Sequence, residues 1–204
     1  MDLLFIHGNY PAQFRNLAPL LASDPLNRVI FLTAREDAAT EALPGVEIRT
    51  FHCHRSPSDQ THHYLTATEE AVLQGQAVLR AVTDLLEEGL KPRVVITHAG
   101  MGLGLFIKDL LPKTLLIGYF EWYFRPETTK NLLAHFDFDA KLKTGMRNLP
   151  ILQELECCDI AVVPTQWQKS QFPESFANKL SVIFDGIDTN FFHPCPDSVG
   201  LRQQ

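Results

Sequence analysis

The sequence has no apolar run near the ~20 residues that cross a bilayer. It has no dense cluster of lysine and arginine, and its formal net charge is −6. A chain without a basic surface has little to neutralise phosphates, so nucleic acid is not an expected partner. No C-x-x-C is present. Of the four cysteines, Cys53, Cys157, Cys158 and Cys195, two are adjacent, which makes a poor disulfide framework. They read as reduced thiols of a cytoplasmic protein, with a Cys53–Cys195 pair as the alternative. The first residues carry an acid at Asp2 and no basic region, so they read as a strand and not as a signal peptide. There is no G-x-S-x-G and no Walker A sequence, which leaves hydrolase and P-loop readings without an anchor.

What is present is a 45% hydrophobic chain of 204 residues, enough for one substantial domain. Short apolar runs at 3–7, 28–33, 46–51, 93–97, 114–120, 160–163 and 180–184 read as seven strands. Helical periods fall between them at 11–22, 61–88, 102–111, 146–157 and 166–172. Residues 125–143 read as irregular. Continuous apolar strands are buried on both faces, and their alternation with helices predicts parallel βαβ units. The expected fold is a doubly wound, mostly parallel, Rossmann-like α/β sheet of seven strands with helices on both faces. One domain would fill residues 1–193, with 194–204 a linker or loose tail.

Ligands of such a sheet bind beyond the carboxyl ends of the strands, where the winding direction switches. With the order 3-2-1-4-5 the switch lies between the first and fourth strands. His7, Gly8 and Asn9 follow the first strand, His98 to Gly102 the fourth, and Phe120, Glu121 and Trp122 the fifth. Gly8 allows backbone close to a ligand, with a helix N-terminus beyond it for an anion; a tight turn is the plainer alternative. His98 is either a cleft residue or a hydrogen-bonded core histidine. Glu121 stands among aromatics. Desolvation there would raise its pKa toward general-base work, and a rim carboxylate paired with Arg125 is the alternative. The aromatic stretch 119–124 fits either core or the apolar faces of a sugar.

Three further signals carry less. The Gly100, Gly102, Gly104 run imitates a dinucleotide fingerprint, but Leu105 is too large for its third glycine position. His52, His54, His62 and His63 lack the supporting spacing of a zinc site, so no metal is expected. Lys130, Lys141, Lys143 and Arg147 form a modest basic stretch that is either a solvated face or a contact for an anionic acceptor or membrane surface.

The C-terminal third carries the most specific pattern. Residues 159–168, then Gln171 to Pro173, then 180–194 with its Asp-Gly-Ile-Asp-Thr phrase from Asp185 resemble the end of the N-terminal domain of family 4 glycosyltransferases of the GT-B fold. His7, Gly8, Asn9 and Gln13, with residues 119–123, resemble one subgroup. The likeness covers roughly 1–194. It implies transfer of a sugar from a nucleotide-sugar to a glycan, lipid or other acceptor, with retention of configuration and no bound metal or other cofactor. The N-terminal domain would hold the acceptor, and a C-terminal domain the donor through a Glu-x7-Glu motif. Two departures stand out. No Glu-x7-Glu pair occurs, so a fragment, truncated product or half of a split enzyme is expected, with a missing donor domain as partner and no catalysis alone. Glu121 also occupies the place of a histidine that, in many members, bonds the transferred sugar. The resemblance casts Glu121 as binding the reacting sugar or acceptor hydroxyl and His98 as cleft floor. His7, Gly8, Asn9, Gly100 and Trp122 would border donor and acceptor, with Gln166 and Lys169 facing the cleft. The enzyme would be cytoplasmic, with peripheral contact at the membrane's inner face. A stand-alone binding or scaffold domain is the main alternative, and a nicotinamide oxidoreductase a third.

Overall fold

The computed structural model describes residues 1–130 and 135–194. Seven strands form one parallel sheet: β1 (Asp2–His7), β2 (Arg28–Thr33), β3 (Val46–Thr50), β4 (Pro92–His98), β5 (Leu115–Tyr119), β6 (Ile160–Val163) and β7 (Leu180–Val182). Their spatial order is β3-β2-β1-β4-β5-β6-β7, so the winding reverses between β1 and β4. The Rossmann-like α/β sheet expected from the apolar runs is the fold observed.

Alternation along β1 shows how the two faces are filled. Leu4 and Ile6 join one cluster with Ile30, Leu32, Val95 and the helices α2 (Thr66–Glu87) and α6 (Leu149–Cys157). Leu3 and Phe5 join the other with Phe14, Ala18, Val29, Phe31 and Ile96. A strand with four consecutive apolar residues, Leu3 to Ile6, is thus apolar toward two layers.

The helices depart from expectation more than the strands. The span 11–22 divides into a 3-10 turn at Ala12–Phe14 and α1 (Leu17–Ala22). The long helix begins at Thr66, and its buried face is Ala71, Gly75, Ala77, Val78, Val82 and Leu85. Leu65 and Val72, apolar residues within the span 61–88, are exposed. The span 102–111 keeps only the turn α3 (Ile107–Leu110), because Gly100 and Gly102 take φ of 100° and 84° and cannot sit in a right-handed helix there. The irregular span contains α4 (Pro126–Thr129) and α5 (Phe138–Met146); Asp137 caps the latter by accepting from the Ala140 amide at 2.8 Å. The span 166–172 is α7 (Gln166–Gln171). The tail beyond residue 194, and Cys195 with it, lies outside the described residues. Cys53, Cys157 and Cys158 are free thiols. No helix among the described residues is long and apolar enough to cross a membrane.

Candidate functional site

The register of three strands gathers the polar groups. Ile6 pairs with Thr97, so the histidines that follow, His7 and His98, become neighbours; His98 itself pairs with Tyr119, two residues before Glu121. The two imidazole rings lie 4.2 Å apart at 33°. The Asn9 amide donates to His7 Nδ1 at 2.8 Å, which leaves the proton of neutral His7 on Nε2. His7 Nε2 donates to Gln13 Oε1 at 2.8 Å, and Gln13 Nε2 donates to Glu121 Oε1 at 2.8 Å. His98 Nε2 donates to the other oxygen, Oε2, at 2.9 Å. One carboxylate therefore ends a relay that starts at a backbone amide and passes through His7 and Gln13, and it accepts from His98 on its other oxygen.

Burial, and then the nearby His98, push the His7 pKa down to about 4, so His7 is neutral at neutral pH. The hydrogen bond from His98 outweighs desolvation and holds the Glu121 carboxyl below its ordinary value. This corrects the expectation of a raised pKa: the flanking aromatics are neighbours in sequence, but the groups touching the carboxylate are donors from elsewhere in the chain, His98 of β4 and Gln13 of the 3-10 turn. Arg125 does not pair with Glu121. Its guanidinium donates to the carbonyls of Gln171 at 2.7 Å and Phe172 at 3.4 Å. Glu121 is an oriented, ionised acceptor, suited to a hydroxyl and poorly suited to hold a proton.

Beside the relay opens a cleft of ≈ 460 Å³. Asn9, Ala12, Gln13 and Asn16 line one side, Asp185, Ile187 and Phe192 the other. Ala12 stands at φ 46°, a strained backbone position for a residue with a side chain. Tyr119 donates its hydroxyl to Asp185, and burial together with that carboxylate raises the Tyr119 pKa. Gly8 lies in open space at the loop, with no atom within 4 Å of where a Cβ would be. The helix expected directly beyond it begins only at Leu17, after the 3-10 turn, and is six residues long.

The glycine run after β4 has a different fate. Glu154 of α6, 3% exposed, accepts from the amides of Gly100 at 2.5 Å, Gly102 at 3.3 Å and Gly104 at 2.8 Å. The amides that a pyrophosphate would use are already taken by an internal carboxylate. Gly100 borders only a small hollow of ≈ 90 Å³ with Met101, Phe124 and Arg147.

The remaining candidates separate. Trp122 stands next to Glu121 and against Trp167. Gln166 is exposed at the start of α7, and Lys169 Nζ turns to the Leu180 carbonyl at 2.6 Å. Gln168, not singled out from the sequence, reaches the site by donating to the Glu121 carbonyl at 3.1 Å. Glu154 was also missed, although a carboxylate three residues after buried Ile151 on the apolar face of a helix is a visible signal. Among the described residues no three His, Cys, Asp or Glu side chains gather as a metal site.

The model of the glycosyl transferase family 4 group matches residues 25–192, and the chain belongs to that family. No curated protein matches it in sequence. Sucrose-phosphate synthase from Thermosynechococcus elongatus superposes with a TM-score of 0.61 at 14% identity, over 97% of this chain and 51% of that one. Anabaena Alr3699/HepE in complex with UDP and glucose gives 0.57 at 14%, over 96% and 47%. Phytolacca americana UGT2 with UDP-2fluoro-glucose and pterostilbene gives 0.56 at 12%, over 90% and 53%. At such identities the likeness speaks for the fold, a GT-B half-domain. The chain spans about half the length of these structures.

Proposed function

We propose that this member of the glycosyl transferase family 4 group is the acceptor-side half of a retaining glycosyltransferase that moves a sugar from a nucleotide-sugar to an acceptor. The observation that carries this is the relay from His7 through Gln13 to Glu121 and His98, placed at the switch point beside the cleft. Glu121 accepts a hydroxyl of the reacting sugar or acceptor, and His98 and Gln13 keep both of its oxygens in place. Preorganised groups of this kind stabilise developing charge without reorganising during the reaction. Neutral His7 fixes Gln13, and the loop at Gly8 and Asn9 borders the donor diphosphate.

A second lobe is the expected partner. Ile187 and Phe192 on the cleft's far side are exposed, as are Ile183, Phe184 and Phe191 of the same segment, apolar surface suited to burial against protein. Neighbouring folds of twice the length, solved with UDP and sugars, support a nucleotide-sugar as co-substrate. No metal or other cofactor is proposed, and the protein would work in the cytoplasm.

Transfer from a panel of UDP- and GDP-sugars should be measured for the 204-residue chain and for the product of its uninterrupted reading frame. Transfer is expected only where a donor lobe is present. In that protein Glu121→Gln should lower turnover by about 10²-fold or more; unchanged turnover would remove Glu121 from the mechanism. Specific ligand binding with no transfer in any form would favour a binding domain instead.

A further inference from the structure

Both tryptophans of the chain stand at one place. Trp122 directly follows Glu121, and Trp167 lies on α7; their ring centres are 5.8 Å apart and their planes tilt by 54°. Phe124 flanks Trp122 at 6.4 Å. Trp167 is 51% exposed, and α7 buries none of its residues, so core packing does not account for an indole there. The pair is nevertheless fixed. Gln168 donates to the Glu121 carbonyl and Arg125 to the Gln171 carbonyl, which ties α7 to the 121–125 segment at both ends.

On the other side of Trp122 lies a hollow of ≈ 510 Å³. Trp122 and Phe124 give it aromatic walls, and Thr129, Asp137 and Arg147 are among its polar lining. The Thr129 hydroxyl is buried with no partner among the described residues. The Arg147 guanidinium lies 3.8 Å from the Phe124 ring centre. Apolar faces with donors and acceptors at their edge match one chemical shape, a pyranose, whose C–H face is apolar and whose rim carries hydroxyls. A lipid chain would leave the polar lining unmatched, and a flat phenol would leave most of it so.

The spacing limits how a sugar can lie. A ring stacked between two indoles needs about 7–8 Å, with 3.5–4.0 Å on each side. At 5.8 Å the tryptophans cannot sandwich one, so rings rest on separate faces. We propose that Trp122 and Trp167 form a saccharide platform that takes an oligosaccharide of at least two rings, one in the hollow against Trp122 and one on the open face of Trp167. This names the acceptor class for the transfer proposed above and rests on that reading only for what the saccharide does next.

Because both fluorophores sit at the platform, intrinsic fluorescence of the full chain reports on it directly. The chain is titrated with cellotetraose, maltotetraose, chitotetraose and mannotetraose, with the matching monosaccharides, with resveratrol followed by calorimetry, and with phosphatidylglycerol vesicles. At least one tetrasaccharide should shift the emission saturably and bind about tenfold more tightly than its monosaccharide. Trp167→Ala should weaken that binding about tenfold with an unchanged circular dichroism spectrum, and Trp167→Phe should restore most of it. The proposal is overturned if no tetrasaccharide binds, if Trp167→Ala binds like the parent, or if resveratrol or the vesicles bind more tightly than every saccharide. A saccharide that binds here and is never glycosylated defeats the transfer reading and leaves the platform standing. Transfer to an acceptor whose binding ignores Trp167 defeats the platform alone.

Discussion

Two glycine-bearing loops follow the central strands at the switch point, and they use glycine in opposite ways. After β1, Gly8 faces open space, and the loop it begins lines the cleft. After β4, Gly100, Gly102 and Gly104 turn their amides inward onto the Glu154 carboxylate. The first loop is free to meet something outside the chain; the second is a piece of core. Glycine allows close approach in both, but the thing approached differs.

The sharpest way to test the contrast is to add one methyl group to the closed loop. Gly102 has φ 84°, and a Cβ there would press into the Ala71 carbonyl of α2. Gly75 on the same helix is the counterpart: its own Cβ would meet the Gly102 carbonyl at 2.7 Å. Neither backbone can yield without parting α2 from the sheet. Gly102→Ala should therefore lose roughly 4 kcal/mol of unfolding free energy, read from the midpoint of a urea transition. A loss under about 1 kcal/mol would mean that the loop can open, and the contrast between the two loops would fail.

The closed loop is also where sequence reasoning went astray. The strands and their order were legible because each is an apolar run feeding a parallel crossover, and only a few arrangements accommodate that. Residues 102–111 read as a helical period closed by Pro112. Positive φ at two glycines is a property of the backbone that apolar spacing does not carry. At the site, topology brought His7, His98 and Glu121 within reach of one another, so their meeting was readable from strand ends. The sign of the Glu121 shift was not. It depends on His98 and Gln13, which lie 23 and 108 residues away along the chain. α5 was hidden for a simpler reason. Its exposed Phe138 and Leu142 blur the polar and apolar sides that a period would show.

On the open side, His7 supplies a measurement of intermediate size. Its pKa falls from 6.5 in the unfolded chain to about 4 in the fold, chiefly through burial. Between those values the unfolded chain binds a proton that the folded one resists. Stability should thus be intact above pH 6.5 and fall as the pH drops toward 4, by about 3 kcal/mol in all. Glu121, with its lowered pKa, acts in the same direction further down, as pH falls through its folded value. His7→Gln should flatten the slope of unfolding free energy between pH 6.5 and 4, whatever it does to the level at pH 7. An acid limb as steep as the parent's would place the titrating group elsewhere.

The smallest structural effect belongs to Gly8, and it is the most informative because it is small. No atom lies within 4 Å of the position a Cβ would take, and the backbone there does not require glycine. The bond that Gly8 itself makes is a weak one, from the Thr33 hydroxyl to its carbonyl at 3.4 Å, which a methyl on the next atom leaves in place. Gly8→Ala should accordingly shift stability by no more than about 0.5 kcal/mol. If the space is kept for a substrate whose phosphates approach the backbone, the same methyl should cost on the order of tenfold in transfer, because near-attack geometry is sensitive to small displacements. Unchanged stability with weakened transfer would separate a glycine kept for a ligand from one kept for packing. Unchanged stability with unchanged transfer would make Gly8 an ordinary turn residue.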